Sequence, residues 1–359
     1  MSDTTTKLML EAYIQRARAT MFLSGQFQNV TFHNSEEVEI DIMRDDEDIS
    51  IAMHDLSTGA RLNSADVYTN KGYKPPIHRE KGVINAFDLL KRNPGDDPFQ
   101  DVDFQANAIA KGVNLGQKLS PKIMRSIELQ AAQILTTGTV SLVDKEANVV
   151  YTISFNPKAT HFPTVAITWG ESGATPLTDI QGVADVIRND GLGNPDLLEM
   201  GEGAYEKFIS DDEVKSRLDN RRIAGNGIVP MERMGNGGIF RGTVEIANYK
   251  YDIWTYGGRY KDPVSGLKVK YIADDKVIVK DSMGRMDATF GGIPKIGLPD
   301  PRVPRELLQR VSSEDNMIDM QHHAYIDAAG DGMTVEVGTR PLLIPVAIDT
   351  FGCITTTQP

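Results

Sequence analysis

The chain has 359 residues, room for about two ordinary domains. Hydrophobic residues make up 40% and charged residues 25%, which suffices for a packed core and excludes bulk disorder. A net charge of −12 argues against non-specific nucleic-acid binding, which needs clustered Lys and Arg, and against docking on an anionic membrane.

Residues 1–30 open polar and then place Met9, Leu10, Tyr13, Ile14 and Ala17 at helical spacing, with Arg16 and Arg18 elsewhere on the turn. So short a helix needs a neighbour to lie on, which fits a terminal arm or a frayed end equally well. The start lacks a basic patch followed by an apolar core, so no signal peptide is expected, and no apolar run is long enough to span a bilayer.

Val38, Ile40 and Ile42 alternate with Glu37, Glu39 and Asp41, predicting a strand with an acidic wet face. The acids at 45–48 lack the spacing and glycine of a calcium loop and read as a solvated turn. Residues 49–82 carry turn-formers, small polar residues and Pro75-Pro76, with little to anchor them. They suit an extended hairpin reaching a neighbour, or a plain disordered loop.

Ser120 can cap a helix, Pro121 suits its first turn and Gly138 can end it, with Ile123, Ile127, Ala131 and Ile134 on one face. Two β-rich runs around Asp144–Asn148 then predict a hairpin. Residues 163–219 read as an α/β unit entered at Trp169–Gly173, with Val183, Val186 and Ile187 on one helical stripe. Ser210–Glu213 forms a predicted capping box before Val214. A glycine- and methionine-rich loop spans Asn220–Gly238.

The last third is the most telling. From Ala247 it reads as an aromatic β-meander through Lys280, with Asp252, Trp254 and Tyr256 on one face and Tyr251, Ile253 and Thr255 on the other. Its turn is Asp262–Gly266. An apolar strand from Gly338 closes the reading, and the lone Cys353 within it excludes an intrachain disulfide. That residue predicts a buried structural thiol and fits a reducing compartment.

Chemical signatures are weak. On a helix, His323 would share a face with Asp319 and Asp327, a possible mononuclear metal site beside His322, yet no recurring ligand triad accompanies it. The Gly235–Gly242 cluster has neither dinucleotide nor phosphate-loop spacing. No cofactor is expected.

The serial order of the second half resembles the phage major capsid proteins of the lambda E type, which share the HK97 shell fold. The resemblance rests on the Pro-Asp-hydrophobic strand at Asn194–Gly201 and the aromatic strand Tyr251–Tyr260. It continues through the turn Asp262–Gly266, the strand Lys268–Ile272 and its turn Asp274-Asp275, the small-residue stretch Phe290–Ile293, and Arg340-Pro341-Leu342-Leu343-Ile344-Pro345. The segment Glu306–His323 is longer than that pattern, and Glu36–Asp48 has no counterpart in it.

The resemblance implies an α+β, HK97-like subunit. Its N-terminal arm would be 1–30, and its peripheral domain 31–170 with an extended loop at 47–82. An axial domain would occupy 171–331, and a C-terminal strand, 332–359, would return to the peripheral domain. It implies a structural, non-enzymatic head protein that assembles with itself into hexamers and pentamers of an icosahedral shell around packaged double-stranded DNA, without sequence-specific binding. Expected partners are a portal, a scaffold or protease and a decoration protein. The expected location is the virion, after assembly in the host cytoplasm.

Inter-subunit contacts would come from Arg61, Tyr68, Lys71, Tyr73, Lys74 and Pro75, and the capsomer axis would be lined by Asn226, Met231, Arg233 and Asn236. A related shell closes with Lys–Asn isopeptide bonds, but Lys71 and Lys74 read as plain solvated lysines. The alternatives are an encapsulin-like cargo compartment, which shares the fold, and a metal-dependent hydrolase built on His322 and His323.

Overall fold

A computed structural model describes residues 20–33, 38–43, 68–91, 104–143, 146, 148–191, 193–219, 236–293, 320–327 and 332–358. In chain order the first elements are β1 (Asn29–Phe32), β2 (Val38–Met43), β3 (Tyr68–Tyr73), β4 (His78–Asn85), α1 (Ala86–Leu89), α2 (Phe104–Thr137), β5 (Thr139–Val143) and β6 (Val149–Ser154). There follow α3 (Pro176–Gly191), β7 (Leu197–Met200), α4 (Glu202–Ser210), α5 (Asp212–Arg217), β8 (Leu218–Asp219), β9 (Gly238–Ile246) and β10 (Tyr249–Tyr256). The last are β11 (Arg259–Lys261), β12 (Lys268–Lys270), β13 (Lys276–Lys280), β14 (Asp287–Phe290), β15 (Gln321–Ile326), β16 (Gly332–Thr339), β17 (Pro341–Ile344) and β18 (Phe351–Thr355).

α2 has 34 residues and is about 51 Å long, twice the helix that Ser120 and Pro121 predict. Pro121 lies inside it, and Ser120 does not cap: its hydroxyl donates to the Gly116 carbonyl one turn back. The earlier half escapes notice because its buried positions, Ala108, Gly112 and Gly116, are small instead of greasy; they continue the stripe of Leu119, Ile123, Ile127 and Ala131. Gly138 ends the helix as expected, with φ +66° and its N–H on the Ile134 carbonyl. The predicted hairpin follows as β5 and β6 and packs Val140 and Ile153 into the core that α2 borders.

The aromatic run is not a meander. One sheet has the order β18-β13-β7-β10-β9-β8, so β7 separates β10 from β13, running parallel to β10 and antiparallel to β13. β10 instead forms a hairpin with β9 through Ala247 and Asn248, both at positive φ, a turn whose twist matches paired strands. Gly238 and Gly242 within β9 weaken its strand signature in the sequence.

This six-stranded sheet divides two cores. Leu198, Tyr251, Ile253, Val277 and Val279 face Ile180, Val183, Ala184 and Ile187 of α3 and Phe208 of α4. Ile278, Phe351, Cys353 and Tyr256 face the opposite way, into the core that includes Ile123, Ile127 and Ile134 of α2. Asp211 caps α5, accepting from the N–H groups of Glu213 and Val214, while Ser210, the predicted cap, donates to the Lys207 carbonyl.

Three smaller sheets complete the described strands apart from the β5–β6 and β11–β12 hairpins: β1-β14-β17, β15-β16-β4 and the pair β2-β3. The closing apolar segment therefore serves two sheets, β17 pairing with β14 and β18 with β13. His322 and His323 lie on strand β15, where neighbours point to opposite faces, so the helical metal cluster does not form. Asp319 lies outside the described residues, and among those described no group of three metal-binding side chains occurs.

Cys353 is buried, and loss of solvation pushes its thiol up to about 12. A maleimide should therefore leave the native protein unlabelled at pH 7 and modify one thiol per chain in denaturant; rapid native labelling would contradict this placement.

Candidate functional site

The predicted contact residues fall into four groups, the last being Asn236 alone. Arg61, Asn226, Met231 and Arg233 lie outside the described residues. Tyr68 and Lys71 sit on β3, opposite Met43 and Ile40 of β2, so the base of the long segment is a two-stranded ribbon. Tyr73, Lys74 and Pro75 are tied into their own subunit. The Tyr73 ring meets Phe155 at 5.9 Å, and its hydroxyl is buried without a partner among the described residues.

The Lys74 carbonyl accepts from Tyr151 at 2.6 Å, and the carbonyl of buried Pro75 accepts from the buried Arg340 guanidinium, which also donates to Gly292 at 2.8 Å. These three residues anchor the segment's base. Arg340, from the Arg-Pro-Leu motif, is the side chain that ties that base to β14 and β17. Asn236 accepts from the Gly238 N–H at 3.3 Å and starts β9.

Directly after β4, α1 turns Leu89 inward against Ala108 and leaves Phe87 80% and Leu90 63% exposed. Phe104, at the first turn of α2, is 51% exposed. α1 is held to α2 by Asn107, whose side-chain amide donates to the Leu89 and Lys91 carbonyls, and by Lys111 on the Lys91 carbonyl. These aromatic and aliphatic side chains stand on fixed backbone with their apolar surface in water, the character of an interface waiting for a partner.

A second feature fixes the subunit internally. Residues 20–28 insert between α2 and the six-stranded sheet. Glu128 of α2, fully buried, accepts from the N–H groups of Leu23 and Ser24 at 2.9 and 3.0 Å and from the Ser24 hydroxyl at 2.5 Å. The Gln26 amide donates to Glu199 of β7, and Lys280 of β13 donates to the Gln26 carbonyl oxygen at 2.5 Å while standing 3.7 Å from Glu199.

Burial pushes the Glu199 carboxyl up, with the Lys280 ammonium pulling against it. Phe22 packs against Tyr256 and Trp254 at 5.2 and 6.0 Å, and Thr20 shares a hydrogen bond with the Tyr256 hydroxyl. Sequence reasoning assigned 20–28 to a loose arm. The missed signal is an acid, Glu128, set beside Ile127 within an apolar stripe, where a buried charge demands donors.

The geometry offers hydrophobic contacts, fixed hairpins and internal locks, and no constellation of reacting groups among the described residues. A family model, phage major capsid protein E, matches residues 4–351. The chain belongs to that family.

No curated protein sequence matches this capsid protein. Among solved structures it is similar to a putative capsid protein of a prophage of Escherichia coli CFT073, at 16% identity and a TM-score of 0.61, over 94% of this chain and 93% of that one. The capsid of cyanophage P-SCSP1u follows at 9% identity and 0.50, covering 100% and 96%. The mature capsid of bacteriophage PhiM1 matches at 11% and 0.50, covering 98% and 90%. The fold is HK97-like and α+β, and the protein is a structural subunit of a phage head, a component of the virion that assembles into shells.

Proposed function

We propose that the capsid protein closes an icosahedral head from hexamers and pentamers of itself, enclosing double-stranded DNA without sequence-specific contacts and without catalysing a reaction. The family match across residues 4–351 carries this reading. An acidic wall suits the task, because it does not adhere to the packed polymer. A portal, a scaffold or protease and a decoration protein are the partners such a head needs, with assembly in the host cytoplasm.

The division into an arm (1–30), a peripheral domain (31–170, with the extended loop 47–82), an axial domain (171–331) and a returning strand (332–359) follows the family pattern, with α2, β5 and β6 packing in one core and α3 and α4 in the other. In this scheme residues 20–28 belong to the locked base of the arm. Many contacts of modest strength suit closure, since tight ones trap misassembled pieces.

Sedimentation and negative-stain microscopy of the expressed protein test the reading: shells, rings or tubes are expected, and a monodisperse monomer under all assembly conditions contradicts it. Phe87→Ser with Leu90→Ser should raise the concentration needed for assembly at least tenfold. Both side chains are exposed, so the unfolding midpoint of the free subunit should barely move. Assembly indistinguishable from wild type would remove α1 from the contact surface.

A further inference from the structure

The hairpin of β11 and β12 is a basic patch on an acidic chain. Arg259, Lys261, Lys268 and Lys270 face one carboxylate within it, Asp262, which the turn occupies: Asp262 accepts from the Ser265 N–H at 2.9 Å. The base of the hairpin is neutralised, since Lys270 pairs with Glu202 and with Asp274 at 2.5 and 2.6 Å and Arg259 approaches Glu202 at 3.7 Å.

The outer half is not. Lys261 stands directly opposite Lys268 in the register, both exposed, and neither forms an ion pair among the described residues. Like charges placed directly across a strand pair destabilise it. Beside them Leu267 is 68% exposed, Val264 45% and Val269 40%.

The hairpin is stiff at its root. Tyr260 meets Tyr271 at 5.1 Å, Tyr271 stacks on Tyr256 at 5.9 Å, and the Tyr271 hydroxyl donates to the Arg125 carbonyl of α2. The outer half of this ribbon, with its opposed cations and apolar tip, makes no ion pair with the described residues of its own subunit.

We propose that this hairpin seats against an acidic face of a second copy of the chain. The inference rests on the shell-forming reading and adds to it the identity of one contact. Charge complementarity selects the occupant. The chain carries a net charge of −12, and its α4–α5 corner exposes Glu206, Asp212 and Glu213 within eight residues, Asp212 also pairing with Lys215 of its own helix at 2.8 Å. Hairpin and corner are different surfaces, so the contact is heterologous and repeats around a ring.

Lys261→Glu with Lys268→Glu in the full chain should raise the assembly concentration at least tenfold at physiological salt, and leave the unfolding curve of the free subunit unchanged. Lys261→Gln with Lys268→Gln should give an intermediate defect and keeps the test open if the double reversal misfolds. Glu206→Lys with Glu213→Lys should be defective alone and should co-assemble when mixed with the lysine reversal.

Wild-type-like assembly of the lysine variants overturns the proposal. So does normal assembly with a loss only of DNA retention, which would place the hairpin against nucleic acid. Failure of the mixture to co-assemble removes the α4–α5 corner as the seat. A wild type that stays monomeric instead rejects the shell-forming reading, and this contact falls with it.

Discussion

Glu128→Ala will destabilise the free subunit by about 3–5 kcal/mol, the range for removing one partner of a buried, hydrogen-bonded charge network. Two backbone N–H groups and one hydroxyl from residues 23–24 converge on this fully buried carboxylate. Without it they remain buried and unpaired, each costing about 1–3 kcal/mol before relaxation. Glu128→Gln keeps one acceptor oxygen and should recover about half the loss. Urea unfolding followed by tryptophan fluorescence is a direct readout, because Trp254 packs against Phe22 of the inserted segment. A change below about 1 kcal/mol for the alanine variant would show that residues 20–28 are not fixed by this acid.

Gly201→Ala should be nearly as damaging, about 3 kcal/mol, although it adds a single methyl. Gly201 lies between β7 and α4 with φ −64°, so backbone freedom is not the issue. The issue is space: a Cβ there would stand 2.1 Å from the Ala273 carbonyl oxygen. That oxygen belongs to a backbone turn, closed by the Lys276 N–H on Ala273, and the Gly201 N–H is itself bonded to the Lys276 carbonyl at 3.0 Å. Neither strand can yield without breaking the pairing of β7 with β13 in the middle of the sheet. Soluble, cooperatively unfolding Gly201→Ala with wild-type stability would show that the turn has slack the geometry denies.

What the sequence disclosed follows from how local each signal is. The β5–β6 hairpin, the end of α2 at Gly138 and the turn at Asp262–Gly266 are set by residues within a few positions of one another, and each could be read directly. The start of α2 could not, because Ser-Pro is both a helix-opening signal and a tolerated interruption, and Ala108, Gly112 and Gly116 carry little hydrophobicity to mark a buried face.

The meander failed for a different reason: strand neighbours in the sheet are chosen by tertiary packing, and β7 reaches its place between β10 and β13 from some 50 and 80 residues away in sequence. The weak cluster of His323 with Asp319 and Asp327 required a helix, and the strand that His322 and His323 occupy sends the two histidines to opposite faces. Of the expected contact residues, Tyr73 and Pro75 also have partners in their own subunit, Phe155 and Arg340, which lie too far along the chain to be read from the local sequence.

The inserted segment also dictates when the molecule can finish folding. Its hydrogen-bond partners stand 104 to 105 residues away at Glu128, 173 at Glu199 and 254 at Lys280. No nascent chain can complete these bonds before residue 280 has emerged from the ribosome, so residues 20–28 must wait, with Phe22 and Leu23 uncovered, through most of synthesis. Such non-local closure makes for slow folding and leaves each monomer vulnerable to aggregation until its C-terminal third is made.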